Sequence, residues 1–167
     1  NLGNGLRFED ATERAGLGSG LEPLGFGTRF FDFDNDGDLD LHVTNGHVID
    51  NVKLYFPQLA WAQRDLLYEN TGNGRFRDIS AAAGPAFALT HVGRGSTVAD
   101  FDNDGDLDIV IANLGDRPYL YRNDSAPQGN WLKIDPGIPG VRITVEAAGR
   151  RQVRYATGVA SYLSSAD

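Results

Sequence analysis

The chain contains no cysteine and no methionine, and only three histidines in 167 residues. Without thiolates there is neither a disulfide framework nor a Cys-based zinc or iron–sulfur site. His42, His47 and His91 are scattered, not set at metal-ligand spacing, and read as structural. No apolar run approaches the roughly 20 residues that a membrane-spanning helix requires. No basic stripe is present, which argues against nucleic acid as a partner, and no basic amphipathic helix suits a membrane surface. A Gly-x-Ser-x-Gly elbow and a phosphate loop are also missing. Gly16-Leu17-Gly18-Ser19-Gly20 lacks the strand–helix context of a dinucleotide fingerprint. No catalytic set emerges, and the chain reads as a non-enzyme. Its first residues do not form a basic, apolar leader. It opens on Asn1 and reads as a processed product or a piece of a longer protein.

What is present is glycine, aspartate and repetition. The 21 glycines suit a turn-rich β protein, and 41% apolar residues suffice for a core. The net charge of −8 is concentrated: ten Asp lie in two nine-residue loops, and the remainder holds 13 acidic against 15 basic residues.

The chain repeats itself with an offset of 68 residues. Phe8-Glu9-Asp10-Ala11-Thr12 aligns with Phe76-Arg77-Asp78-Ile79-Ser80, and Gly25-Phe26-Gly27 with Gly93-Arg94-Gly95. Val43-Thr44-Asn45 aligns with Ile111-Ala112-Asn113. Leu67-Tyr68-Glu69-Asn70 pairs with Leu120-Tyr121-Arg122-Asn123 at an offset of 53, so the first unit carries 15 additional residues. That insertion lies within residues 46–64 and includes Tyr55, Phe56 and Trp61; it reads as a cap on the core in preference to a binding surface. Asn1-Leu2-Gly3-Asn4-Gly5 resembles Asn70-Thr71-Gly72-Asn73-Gly74, so the chain reads as entered in mid-repeat, cut from an array or completed by a neighbour.

Strand periodicity appears at Leu39, Leu41 and Val43, and a more continuous apolar run at residues 107–111. Residues 28–33 and 96–101 read as strands entering the loops, and Asn73-Gly74 as a hairpin turn. Short helical turns are expected at residues 12–15 and 81–83, and a helix at residues 57–65. The fold class is all-β: about two small antiparallel sheets of roughly four strands, packed as propeller blades are, in an incomplete ring. The divisions are residues 1–72, 73–128 and 129–167. In the last, Val141, Ile143 and Val145 alternate with polar partners, Ala148-Gly149-Arg150 makes a turn, and residues 152–156 return. This predicts a β-hairpin, paired with a strand at residues 131–134. Two units leave sheet edges that something must cover.

Both loops read Asp-Phe-Asp-Asn-Asp-Gly-Asp-Leu-Asp. Calcium takes six to eight oxygen ligands. Positions one, three and five supply converging carboxylates: Asp32, Asp34 and Asp36, then Asp100, Asp102 and Asp104. Position seven supplies a backbone carbonyl, from Asp38 and Asp106. Position nine, Asp40 and Asp108, closes the shell. Gly37 and Gly105 permit the bend. An EF-hand would need an acid at position 12 and flanking helices; Val43 and Ile111 stand there. Magnesium demands stricter octahedral geometry, and zinc prefers His or Cys. Two calcium ions are the expected cofactors, and as occupied sites the paired carboxylates are unsuited to catalysis. Asn123-Asp124-Ser125 is an acceptor-type glycosylation sequon.

The loops, with the Leu-Tyr-x-Asn and Gly-Asn-Gly-x-Phe-x-Asp pattern, resemble FG-GAP/VCBS repeats, the blade repeats of integrin-type β-propellers. The tail, from Gly129-Asn130-Trp131-Leu132-Lys133 to Ser161-Tyr162-Leu163-Ser164, resembles the ASPIC/UnbV domain. It departs from that pattern at Pro139-Gly140 and in stopping at Asp167, so it reads as truncated. The resemblance implies an extracellular or cell-surface scaffold, adhesion or interaction module with structural calcium. Its partners would be protein or glycan ligands. Two alternatives stand beside it: a self-assembling subunit built from partial propellers, with further copies as partners, and a non-catalytic domain of a biosynthetic enzyme system.

Overall fold

A computed structural model of the chain describes residues 8–18, 22–125 and 130–156. The matches at residues 1–5 and 161–164 lie outside them. The described chain is all-β, in three antiparallel sheets with no closed barrel. The first sheet runs in order from β1 (Gly25–Phe31) through β2 (Asp40–Asn45) and β3 (Leu66–Asn70) to β4 (Phe76–Asp78). The second contains β5 (Gly93–Ala99), β6 (Asp108–Asn113) and β7 (Tyr119–Tyr121). The third is the predicted hairpin, β8 (Arg142–Ala147) and β9 (Arg150–Tyr155), turning at Ala148 and Gly149, both at positive φ.

The 68-residue repeat is reproduced in register. Gly25 pairs with Asn45 and Gly27 with Thr44, a one-residue irregularity repeated where Gly93 pairs with Asn113 and Gly95 with Ala112. Such an extra residue bends and twists a strand. At Gly27 the glycine also admits the neighbouring sheet: a Cβ there would lie 2.6 Å from Ser96 N and 2.9 Å from Gly95 C. β1 and β5 therefore pack almost backbone to backbone.

The core lies between these two sheets. Phe31 and Leu67 of the first face Val98, Ile109, Ile111 and Tyr121 of the second, with Phe87 between them. Each large apolar side chain so buried contributes about 1.5–3 kcal/mol. Ile79, Ala83 and Ala86 pack against this cluster from the segment linking the sheets.

Five expectations are revised. Strands β1 and β5 end at Phe31 and Ala99 because Asp32 and Asp100 already belong to the loops. The second sheet has three strands, and residues 131–134 form no strand with the hairpin. No helix spans residues 57–65; Gln63 is instead drawn into a two-way backbone bridge with His91. Of the insertion's apolar side chains only Val52 is buried, whereas Leu54, Tyr55 and Phe56 are 78%, 67% and 54% exposed, so its rings do not cap the core.

Candidate metal centre

Each Asp-rich loop leaves one antiparallel strand and enters the next, which fixes both ends of a nine-residue turn. Asn35 and Gly37 in the first loop, and Asn103 and Gly105 in the second, take positive φ. Asn and Gly tolerate that region best, so the sequence folds the loop back on itself.

The carboxylates converge, though not as one identical set. Oxygens of Asp32, Asp34 and Asp40 lie within 4.8 Å of one another in the first loop, and those of Asp100, Asp102 and Asp104 in the second. Asp36 Oδ1 instead accepts the Asp38 N–H at 2.8 Å, just as Asp104 Oδ1 accepts the Asp106 N–H at 2.9 Å. Asp40 has a second duty: its Oδ2 accepts from Phe33 N at 3.1 Å and its Oδ1 from Asn70 N at 2.7 Å. Asp108 repeats this with Phe101 N at 2.9 Å and Asn123 N at 2.8 Å. The ninth position thus ties each loop to its Leu-Tyr strand, a role that ligand arithmetic alone does not reveal.

The fit to a hard cation is testable on the orphaned oxygens. Asp32 Oδ2 accepts the Gly37 N–H at 2.9 Å, but Asp32 Oδ1 is shielded and has no hydrogen-bond partner; Asp100 Oδ1 is likewise shielded and unpartnered. Buried acceptors without donors are costly. Burial, with the neighbouring Asp36 charge, raises the Asp32 and Asp34 carboxyls above the usual range. Burial also pushes Asp40 up to about 7 despite its two N–H donors. All-oxygen carboxylate clusters fit calcium chemistry, and at the first the Arg154 cation stands 3.9 Å from Asp32 Oδ2.

The two loops touch. Asn35 Nδ2 donates to Asp106 Oδ1 at 2.6 Å, and Asn123 Nδ2 donates to Phe33 O at 2.7 Å. The sequon nitrogen is therefore engaged in holding the first loop. The hairpin also reaches the first loop: Arg150 Nη1 donates to Asp36 O at 2.8 Å and Arg154 Nη2 to Gly37 O at 3.1 Å. Trp131 packs against the second, where a Cβ on Gly105 would stand 2.0 Å from its indole nitrogen.

A second polar centre lies between the sheets. Asp65 is fully buried; its Oδ1 accepts from Thr44 Oγ1 at 2.6 Å and Asn45 N at 3.2 Å. Its Oδ2 lies 2.9 Å from His91 Nε2 and 3.8 Å from His42 Nε2. His91 Nδ1 sits 2.7 Å from Asn113 Oδ1 and Tyr121 Oη 3.3 Å from His91 Nε2. Burial works to raise the Asp65 carboxyl, but His42 and His91 outweigh it and hold it well below the carboxylate range. Burial works to lower His91, but the bond and charge of Asp65 outweigh it and raise it. Two histidines that read as scattered are thus gathered by the fold. One signal was available: His42, Asp65 and His91 stand where the repeats differ, opposite Val110, Pro118 and Pro23.

Residues 58–111, which contain the second Asp-rich loop, match the FG-GAP-like repeat family. The chain is 33% identical over 142 residues to human cartilage acidic protein 1, covering 81% of this chain and 19% of that protein. The mouse protein of the same name is 44% identical over 62 residues, covering 37% of this chain and 9% of the relative. The chain spans less than a fifth of the length of either relative. The match to the FG-GAP-like repeat family ends at residue 111, before the hairpin.

Proposed function

We propose that this chain is a calcium-braced interaction module of the extracellular matrix type, in which one ion per loop fixes adjacent blade-like sheets. The observation that carries the reading is the convergence of Asp32, Asp34 and Asp40, and of Asp100, Asp102 and Asp104, beside shielded unpartnered oxygens. Calcium would supply charge neutralisation and a rigid turn. The protein's own residues supply the rest: Asp40 and Asp108 join loop to sheet, and Asn35 and Asn123 join loop to loop. The likeness to cartilage acidic protein 1 supports a matrix setting outside the cell. The exposed Leu54, Tyr55 and Phe56 of the insertion offer an apolar surface for a protein partner. The ASPIC/UnbV likeness of the tail is part of the same proposal and makes the hairpin a companion of the repeats.

The test is a calorimetric titration of metal-free chain with calcium, run beside magnesium. Saturable binding near one ion per loop, selective for calcium, is the expected result. Absence of binding at millimolar calcium would refute it.

A further inference from the structure

The second sheet lacks the strand that the first one has. In the first, β4 pairs with β3 through Tyr68 with Asp78, Glu69 with Arg77 and Asn70 with Phe76. Strand β7 and the residues after it carry the same Leu-Tyr-x-Asn sequence, yet among the described residues no strand pairs with the far side of β7. The counterpart of β4 by sequence is Phe8-Glu9-Asp10, which is exposed and belongs to no strand, with Phe8 82% exposed and Glu9 ion-paired to Arg14 of its own segment.

We infer that β7 is completed by residues 8–10 of a second copy of this chain. Three observations carry this. The first is charge. Across β3 and β4, Glu69 forms an ion pair with Arg77. The corresponding pair would be Arg122 with Glu9, taken from their exposed partners Asp124 and Arg14: both charges are reversed together, so attraction is kept. The second is preorganisation. Thr12 N donates to Asp10 Oδ1 at 2.9 Å, as Ser80 N donates to Asp78 Oδ1 at 3.0 Å. The turn that follows β4 is therefore already formed after residues 8–10. Thr12 would then meet the Leu120 N–H, as Ser80 Oγ accepts from Leu67 N at 2.9 Å. The third is the apolar face. Leu67 and Val98 are buried together in the core between the sheets, at 4% and 7% exposure. Their repeat counterparts, Leu120 and Phe30, are 45% and 52% exposed on opposite outer faces. Stacking one copy's first sheet on another copy's second sheet would bury both.

The contact is head to tail and repeats the relation that the two sheets already have within one chain. Heterologous contacts of this kind close into rings or extend as filaments. The inference does not require the loops to be loaded, so its failure is separable from failure of the calcium reading.

The test is sedimentation velocity of the full chain in calcium buffer over a concentration series, with circular dichroism verifying each fold. Wild type should associate. Glu9→Arg and Arg122→Glu should each weaken association roughly fivefold, by turning one exposed attraction into repulsion. Mixing the two variants should restore it, because each then supplies what the other's edge or segment needs. A wild-type chain that stays monomeric would overturn the inference and leave the β7 edge to a strand from another protein. Folded single variants that associate as well as wild type, or a mixture that fails to recover, would also overturn it.

Discussion

Asn35 Nδ2 donates to Asp106 Oδ1 at 2.6 Å, across 71 residues of sequence, so the two Asp-rich loops share a side-chain hydrogen bond. On the proposed calcium reading this bond would couple the two sites, and linkage would make the coupling reciprocal. Asn35→Ala should therefore weaken calcium binding at the second loop as well as the first, by several-fold. Calorimetry on Asn35→Ala combined with Asp100→Asn or with Asp32→Asn separates the two loops. Unchanged affinity at the second loop would remove the coupling.

Gly105 serves two purposes, a φ of +99° and a surface for Trp131. Gly105→Ala should cost about 1–2 kcal/mol in backbone strain and should lift the indole. Tryptophan emission should shift to the red, and urea midpoints should fall. Gly72 also has positive φ but nothing near it, so Gly72→Ala should destabilise without moving the emission.

Asp65 is the only carboxylate that holds His91 between the sheets among the described residues. Asp65→Ala should cost about 1–3 kcal/mol, since it strips Thr44 Oγ1, Asn45 N and His91 Nε2 of their buried acceptor. Urea unfolding with calcium present measures this without confusion from the loops.

The same pair sets a pH window. His91 is raised in the folded state, so its contribution is complete below its unfolded value and disappears as pH rises through the folded one. Asp65 is lowered, so its contribution is present above about pH 4 and is lost only at strongly acidic pH. The clasp is strongest between about pH 4 and 6.5. The stability difference between wild type and His91→Gln should shrink from pH 6 towards alkaline pH, as read from paired urea melts.

The Asn123 amide bridges Phe33 O and, more weakly, Leu107 O. Asn123→Ala should cost about 1 kcal/mol. Chain made in a glycosylating host should carry no glycan at this position by mass spectrometry, because the modified nitrogen is the bridging one.

The repeat made the strands, the loops and the hairpin legible, because side-chain periodicity and Asp spacing are local properties. That Asp32 lies near Asp34, and Asp100 near Asp102 and Asp104, follows from spacing alone. The division of labour within the loops does not. Asp40 and Asp108 accept two backbone donors each, one of them 30 and 15 residues away. Sequence spacing carries no trace of such a partner. The Asp65 centre was hidden for a related reason, since His42 and His91 meet only through the packing of one sheet on another. The exposed insertion misled because aromatic composition does not state which way rings face.

The most direct test of calcium as a structural brace is thermal unfolding of the chain by calorimetry, loaded with calcium and then stripped with a chelator. The account predicts a clear fall in Tm on stripping, restored by calcium and not by equal magnesium. An unchanged Tm would contradict it.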